Sequence, residues 1–255
     1  MATPHDTEND DIQLSPEALE ALKSFLTEKD ERQHRFETLK KKAEEEDHVE
    51  RGKILTITDF EEDWQHSQFW YDHKTAQTYA EDLLEGATDD TVIGIVSTPS
   101  VFIKIQEMKA SGQVSKNLQV YLLEFDHRFE LFEGFIHYDF KYPLRLPTWF
   151  KGKFDRVILD PPFLSNDCQT KTALTLRWMM KPWSTNSSNV RLIVCTGERM
   201  QGLVEKLYRQ AGVRTTTFDV QHMNGLSNKF LCYSSFESKS LEWENIDTLK
   251  RVGDY

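Results

Sequence analysis

The sequence predicts an α/β fold with a mostly parallel, doubly wound sheet that ends in an antiparallel hairpin. From about residue 53, short apolar runs typical of strands alternate with helical segments, which is the order of a parallel sheet. The last two runs, 213–220 and 229–235, are joined by a loop too short for a crossover helix. These two strands must therefore pair antiparallel.

Each element has its own signal in the sequence. Apolar runs predict strands over 92–97, 118–125, 134–138, 155–159, 190–195, 213–220 and 229–235. Helical segments are predicted over 74–85, 100–110, 168–180 and 198–210. Ser15-Pro16-Glu17 is typical of a helix start, and residues 27–50 are dense in charge. We predict a charged, partly disordered or helical N-terminal extension over 1–52, a domain over 53–236 and a C-terminal tail over 237–255.

Charge and cysteine content narrow the class of protein. Residues 1–50 carry 15 acidic and 7 basic side chains, a balance of −8, whereas residues 51–255 carry 27 and 24, a balance of −3. Neither part of the chain has the excess of basic residues that is typical of nucleic-acid-binding proteins, so we expect no nucleic-acid partner. Net charge alone does not exclude a local basic groove. Three cysteines without a CxxC pair indicate neither a metal site nor a disulfide framework. With no signal peptide or membrane span, we expect a soluble, cytoplasmic monomer.

The most informative residues are Asp160-Pro161-Pro162-Phe163, directly after the apolar run Val157-Ile158-Leu159. Two prolines remove two N–H donors and stiffen the chain where a buried strand ends. The result is a ledge of carboxylate, carbonyls and aromatic ring at the strand's C-terminal end, where open α/β sheets bind ligands. Such a ledge can orient a substrate amine. The alternative is an ordinary surface turn, in which aspartate and proline are also common.

Other strand ends carry polar side chains that suit a nucleoside. Ser97-Thr98-Pro99-Ser100 enters a helix after the first strand, without the usual glycine loop, and can hold a carboxylate or sugar, or simply cap the helix. Glu124 and Asp126 follow the second strand, where an acid can accept ribose hydroxyls, or else be a solvated strand end. Asp139 and Phe140 follow the third strand and can hold an adenine.

An aromatic segment, with Phe69, Trp70, Tyr71 and then Thr75, precedes the first strand. Such clusters usually pack in a core, but some line a ligand pocket. Its place just before the first strand favours the second role.

As a set, these segments closely resemble the elongation factor 1-alpha lysine methyltransferase 1 family, formerly grouped with adenine-amino DNA methyltransferases. The resemblance covers about residues 60–236 and is carried by Ser67–Tyr71, Val96–Val101, Glu124–Phe129, Asp160–Ser165, Cys195–Gly197 and Asn228–Tyr233. It implies a class I, Rossmann-like methyltransferase fold with seven strands. It also implies S-adenosylmethionine as methyl donor and a lysine of translation elongation factor 1-alpha as acceptor.

The resemblance also implies roles for the residues above. Asp160, Pro161, Pro162 and Phe163 would form the amine-acceptor site, Glu124 and Asp126 would hold the ribose, and Asp139 with Phe140 the adenine. The Ser97–Ser100 turn and the Phe69–Tyr71 loop would surround the methionine part. Two other functions stay open: an adenine-amino DNA or RNA methyltransferase that stacks a flipped base on Phe163, and an inactive cofactor-binding scaffold.

Overall fold

The computed structural model describes residues 55–62, 68–183 and 189–245, together with Ser15, Glu20, Lys23, Thr27 and Thr38. The chain divides into two units, Met1–Gly52 and Lys53–Tyr255. In the first unit, Glu20, Lys23, Thr27 and Thr38 are helical, and the Thr27 hydroxyl donates to the Lys23 carbonyl at 2.9 Å. Most of the predicted N-terminal extension, residues 1–52, lies outside the described residues. Everything below concerns the second unit.

Seven strands form one sheet, and its strand order confirms the predicted fold class. The strands are β1 (Val92–Val96), β2 (Gln119–Glu124), β3 (Phe135–His137), β4 (Arg156–Leu159), β5 (Arg191–Gly197), β6 (Arg214–Asp219) and β7 (Phe230–Ser234). They lie in the order β3-β2-β1-β4-β5-β7-β6. β1 to β5 pair in parallel, whereas β7 is antiparallel to both β5 and β6. The order reverses between β1 and β4, which places a ligand crevice above the carboxyl ends of these two strands.

Four helices connect or precede the parallel strands: α1 (His73–Leu84), α2 (Pro99–Ala110), α3 (Asn166–Met179) and α4 (Gln201–Leu207). Asp72 caps α1 by accepting from the Thr75 N–H at 2.7 Å, and Ser165 caps α3. The helix predicted over 198–210 is divided, because one-turn 3₁₀ segments, Glu198–Met200 and Arg209–Ala211, flank the short α4. A glycine at 202 lowers the helix propensity of this segment.

The sheet is buried on both faces. Ile93 and Ile95 of β1 pack on the side of α1 and α2, and Val92 and Val96 pack on the side of α3 and α4. Neighbouring strand residues point to opposite faces, so an all-apolar strand indicates two cores. Both layers of helices hold the strand ends, and hence the crevice, in fixed positions.

A buried cation fastens α1 to the sheet. Arg156, at the start of β4, is 1% exposed, and its guanidinium donates to the carbonyls of Leu83 and Glu85 at 2.7 and 2.8 Å. These carbonyls lie at the C-terminal end of α1, where helix carbonyls need donors. Burial lowers the pKa of Arg156 to about 10, so the side chain stays charged at neutral pH. The strand that ends in the Asp160 ledge is therefore anchored at its other end.

Residues 237–245 differ from the predicted tail, because they pack against the domain. Trp243 pairs with Thr216 of β6 and donates its indole N–H to the Ser234 carbonyl at 3.1 Å. Leu241 is fully buried in the core. Across the described residues, no helix has the length and apolar character needed to cross a membrane.

Gly94, in the middle of β1, leaves no room for a side chain. A Cβ at this position would lie 2.8 Å from Met179 Cε and 2.9 Å from the Phe154 ring. We expect Gly94→Ala to lower the free energy of unfolding by roughly 1–3 kcal/mol, measured by urea denaturation. The control is Gly202→Ala in α4, where a Cβ meets nothing within 4 Å. It should be neutral or stabilising by up to about 1 kcal/mol, and equal losses in both variants would contradict the packing argument.

Candidate active site

A cavity of about 750 Å³ opens at the carboxyl ends of the parallel strands. Its walls come from the segments that follow β1, β2, β3 and β4, from residues 68–70, and from the loop between β6 and β7. This volume suits a ligand of nucleoside size. The cavity lies at the point where the strand order reverses, as the fold requires.

The predicted ledge forms one wall of this cavity. Asp160, Pro161, Pro162 and Phe163 all line it. The Asp160 N–H donates to the Val96 carbonyl at 3.1 Å and so extends the hydrogen bonding between β4 and β1 by one residue. The two prolines, which have no N–H group, then end the strand. Phe163 is 40% exposed, so its ring is available at the cavity mouth.

Contacts with α3 and β5 hold the ledge in place. The fully buried Gln169 donates to the Phe163 carbonyl at 3.4 Å and to the Thr196 hydroxyl at 3.0 Å. Leu164 packs so closely on β5 that a Cβ at Gly197 would lie 2.6 Å from its side chain. The ledge is thus fixed by α3 and β5 as well as by its prolines.

Tyr71 holds the Asp160 carboxylate. The Tyr71 hydroxyl donates to Asp160 Oδ2 at 2.6 Å. Burial raises the pKa of Asp160 to about 7, and the hydrogen bond from Tyr71 opposes that rise. Burial and the nearby carboxylate raise the pKa of Tyr71 well above its ordinary value, so this hydroxyl remains a donor. A carboxyl whose pKa is close to neutral can exchange a proton near physiological pH.

Tyr71 itself is buried and is held from several directions. Its N–H donates to the Ser100 hydroxyl at 3.1 Å, and its backbone pairs with His222 in the β6–β7 loop. The Thr75 hydroxyl accepts from the Gln221 N–H of the same loop at 3.1 Å. Tyr71, Ser100 and Thr75 are not among the cavity-lining residues. They lie behind the cavity wall, whereas the sequence predicts that Tyr71, Thr75 and Ser100 contact the ligand.

The turn after β1 has an unusual backbone. Ser97 has φ = 54°, and among the described residues it is the single non-glycine with a positive φ. Glycine adopts this conformation without steric cost, so serine here indicates strain of the kind found at functional sites. Ser97 and Pro99 line the cavity, whereas Thr98 does not. The Thr98 hydroxyl is buried without a hydrogen-bond partner in the described part of the chain.

Glu124 lines the cavity at the end of β2. It is 5% exposed, and its Oε1 accepts from the N–H groups of Phe125 and Asp126 at 2.9 and 3.2 Å. Burial raises the pKa of Glu124 to about 7 despite these donors. The carboxyl is therefore oriented by the backbone and can accept hydrogen bonds from a ligand's hydroxyl groups.

Asp126 does not share this position. Its Oδ1 accepts from the Arg128 N–H, and its Oδ2 accepts from the Arg128 and Gln68 side chains at 2.8 and 3.0 Å. Asp126 is not among the cavity-lining residues. Asp126 Oδ2 and the Arg128 guanidinium together hold the Gln68 amide, and Gln68 does line the cavity. Of the two acids predicted to hold the ribose, Glu124 therefore lies in the cavity wall and Asp126 lies behind it.

Asp139 and Phe140 line the cavity beyond β3, as the sequence predicts. Asp139 Oδ1 accepts from the Lys141 N–H at 2.9 Å. The Phe140 ring lies 5.6 Å from the Phe163 ring, at an interplanar angle of 58°. The ring expected to cover the adenine therefore touches the ring of the acceptor ledge. Phe69 and Trp70 also line the cavity.

The β6–β7 loop forms a further wall of the cavity. His222 and residues 225–228 line the cavity, and Phe230 follows them. The Met223 N–H donates to the Trp70 carbonyl at 2.9 Å, and Asn224 donates to Glu62 at 2.8 Å. Burial lowers the pKa of His222 to about 4, so its ring is neutral and packs between Tyr71 and Phe230. Contacts between residues 150 positions apart leave no periodic signal in a sequence.

Together the fold and the cavity define a class I, S-adenosylmethionine-dependent methyltransferase. A family model described as "Probable N6-adenine methyltransferase" matches residues 62–238, and the chain belongs to that family. It is 43% identical over 235 residues to "Protein-lysine N-methyltransferase EFM5" of Saccharomyces cerevisiae, covering 89% of this chain and 93% of that protein. It is 34% identical over 238 residues to "EEF1A lysine methyltransferase 1" of Homo sapiens, covering 91% and 96%.

The lining residues fit this cofactor. A ribose diol and an exocyclic adenine amine need acceptors, which Glu124 and Asp139 offer, and an adenine ring needs an apolar face, which Phe140 offers. The cavity is large enough for the whole cofactor beside a lysine side chain. Among the described residues, no group of His, Cys, Asp and Glu side chains is arranged to hold a metal ion.

Removing the Tyr71 hydroxyl should raise the pKa of Asp160 further, because its hydrogen bond stabilises the carboxylate. In Tyr71→Phe we expect the acidic limb of the kcat–pH profile to move to higher pH, with kcat at pH 7 reduced roughly tenfold. Tyr208→Phe is the matched control, since the Tyr208 hydroxyl is buried without a partner among the described residues. A uniform loss of kcat at every pH in Tyr71→Phe would contradict a role for Tyr71 in setting the charge of Asp160.

Ionisation of the Glu124 carboxyl should lower the free energy of unfolding. Its pKa is raised from 4.5 to about 7 in the folded protein, so the folded state binds the proton more tightly. The unfolding free energy therefore falls as the pH rises through this window. We expect Glu124→Gln to be more stable than the unchanged protein at pH 8, by roughly 1–3 kcal/mol, and equal to it at pH 4. The measurement is thermal or urea unfolding of the cofactor-free protein.

The control for this prediction is Glu205→Gln on the exposed face of α4. It should leave the unfolding free energy unchanged at both pH values. A Glu124→Gln variant that is less stable at pH 8 would show that the carboxylate is needed for the fold rather than for a ligand.

Proposed function

We propose that this protein is a protein-lysine N-methyltransferase that modifies translation elongation factor 1-alpha. The observation that carries the proposal is the Asp160–Phe163 ledge, fixed in the wall of a nucleoside-sized cavity. It is supported by relatives that cover nine-tenths of this chain and whose names specify lysine methylation, one of them of EEF1A. We also propose that the protein acts as a monomer, in the cytoplasm where translation factors work.

In this proposal, different residues bind the ribose, the adenine and the methionine part of the cofactor. Glu124 accepts the ribose hydroxyls, Asp139 accepts the adenine amine, and Phe140 covers the ring. Ser97, Pro99 and the Phe69–Trp70 segment surround the methionine part. Tyr71, Thr75, Thr98, Ser100 and Asp126 support these groups from behind the wall.

S-adenosylmethionine, when bound, supplies a methyl group on a sulfonium sulfur. The protein then has to present an uncharged lysine amine in line with that methyl group. A free lysine has a pKa near 10.4, and the apolar wall of Pro161, Pro162 and Phe163 lowers it. Since the pKa of Asp160 is about 7, its carboxylate can accept the proton that the ammonium loses and pass it to solvent.

Asp160 also orients the amine. Tyr71 occupies Oδ2, which leaves Oδ1 and the carbonyls of the ledge to accept the remaining amine hydrogens. The nitrogen lone pair then points away from these acceptors and towards the methyl group. After transfer, the Phe163 ring can hold the cationic methylated product by a contact worth about 0.5–2 kcal/mol, which favours repeated methylation of one lysine.

A second candidate, methylation of an adenine amine, is favoured by the description of the family model. The charges of the cavity oppose it. Among the described residues that line the cavity, Glu124, Asp139 and Asp160 are acidic, and Lys141 and Arg199 are basic. Residues 51–255 as a whole carry a net charge of −3, which gives phosphates no overall attraction to this part of the chain. A lysine side chain brings a positive charge instead.

Asp160→Ala separates chemistry from binding. We expect it to abolish methyl transfer to elongation factor 1-alpha, by a factor of 10² or more, while the cofactor Kd stays within about threefold. Asp139→Ala is the contrasting variant, and should weaken cofactor binding while keeping turnover at saturating cofactor. The assays are radiolabelled methyl transfer and calorimetry.

The same transfer assay tests the proposed function itself, with elongation factor 1-alpha, DNA and RNA offered in parallel. Label in the nucleic acids alone would overturn the proposal in favour of the second candidate. Cofactor binding without transfer to any of the three would indicate an inactive scaffold. Loss of cofactor affinity in step with turnover in Asp160→Ala would contradict the division of roles.

A further inference from the structure

The central part of the segment between β3 and β4, residues 141–153, is basic in an acidic protein. From 141 to 153 it contains Lys141, Arg145, Lys151 and Lys153 and no acidic residue, whereas the whole chain has a net charge of −11. None of these four cations forms an ion pair with an acid in the part of the chain that the structure describes. We call residues 141–153 the basic loop.

The basic loop also exposes apolar side chains. Tyr142, Leu144 and Trp149 are 57%, 55% and 50% exposed, and they are three of the seven large apolar side chains that the described residues expose. Such a concentration is typical of an interaction surface, since single exposed apolar residues are normally scattered. Arginine and aromatic residues are also enriched in protein interfaces.

The backbone of the loop is held in place although several of its side chains are exposed. Phe150 is fully buried, and the Pro143 carbonyl accepts from the Thr175 hydroxyl of α3 at 2.7 Å. The rings of Pro143 and Pro147, which fix φ at these two positions, also stiffen the segment. A surface that is already ordered loses little entropy when it binds a partner.

The loop is continuous with the active site. Lys141 lines the cavity, and its neighbour Phe140 contacts the Phe163 ring of the acceptor ledge. A partner that lies along the loop would therefore reach the cavity mouth. Charge complementarity requires that partner to be acidic next to the group that enters the cavity.

We propose that the basic loop is the docking surface for an acidic, partly apolar segment of the protein substrate, adjacent to the lysine that is methylated. The inference rests on the proposed function and adds a substrate feature to it. A nucleic acid is a poorer occupant, because a cation already occupies one face of each ring on which a base would stack. Arg145 lies over the Tyr142 ring at 5.6 Å, and Lys153 lies over the Trp149 ring at 4.7 Å.

The test uses Arg145→Glu/Lys151→Glu, two exposed positions that do not line the cavity. Its matched control is Lys116→Glu/Lys206→Glu, which makes the same charge change at exposed positions before β2 and in α4. Two fluorescent peptides with a central lysine, flanked by glutamates or by glutamines, are the probes, and binding is followed by anisotropy. Calorimetry with the cofactor checks that both variants are folded.

We expect the unchanged enzyme and the control to bind the glutamate peptide about tenfold more tightly than the glutamine peptide, and the loop variant to lose that difference. The loop variant should also raise KM for elongation factor 1-alpha about tenfold and leave kcat within about twofold. Added salt should weaken binding in the unchanged enzyme more than in the loop variant.

Peptide binding does not depend on turnover, so this inference and the proposed function fail separately. A glutamate preference lost in the loop variant supports the docking surface even if elongation factor 1-alpha is not methylated. The proposal is overturned if the unchanged enzyme shows no glutamate preference, or if the loop variant keeps it. It is also overturned if a single-stranded RNA binds more tightly than the glutamate peptide through the same two residues.

Discussion

The hydrogen bond from Tyr71 to Asp160, 2.6 Å long, joins the two halves of the site. Asp160 ends the strand at the reversal point of the sheet, and Tyr71 belongs to the segment that is pinned by Ser100 and by the β6–β7 loop. Any movement of α1, α2 or that loop would therefore reach the carboxylate. The position of the Asp160 carboxylate therefore depends on packing at three separate points of the chain. Such packing is how a folded protein keeps a reactive group within a fraction of an ångström of its productive position.

The same arrangement lowers stability. Burial raises the pKa values of Asp160 and Glu124 to about 7, which means that each carboxylate is destabilised in the folded protein at neutral pH. A sequence selected for stability alone would place amides or apolar residues there. Ser97, with its positive φ, is a third position where the fold gives up stability within the cavity wall. All three positions lie at the ends of β1, β2 and β4, where a ligand would restore the missing interactions.

The sequence predicts what is local, and misses what is brought together by tertiary contacts. The ends of all seven predicted strands lie within two residues of the ends observed in the structure, because an apolar run bounded by turn residues is a local signal. The Asp160–Phe163 ledge, Glu124, Asp139 and Phe140 were predicted from their places after strands, and the structure brings them to one cavity. Asp126 could not be separated from Glu124 in this way, since a two-residue spacing does not reveal that Arg128 and Gln68 engage its carboxylate. The wall formed by the β6–β7 loop depends on contacts between residues 70 and 223, which no local pattern records.

The ledge alone does not determine which amine is methylated. A proline-stiffened acceptor with an aromatic wall can hold either an adenine amine or a lysine amine, so the motif is compatible with both substrates. What differs is the charge that arrives with the amine: phosphates in one case, an ammonium in the other. The cavity wall carries three acidic side chains and two basic ones, and the basic loop beside it adds the exposed cations Arg145 and Lys151. Selection of substrate therefore rests on the surroundings of the ledge, and the chemistry rests on the ledge itself.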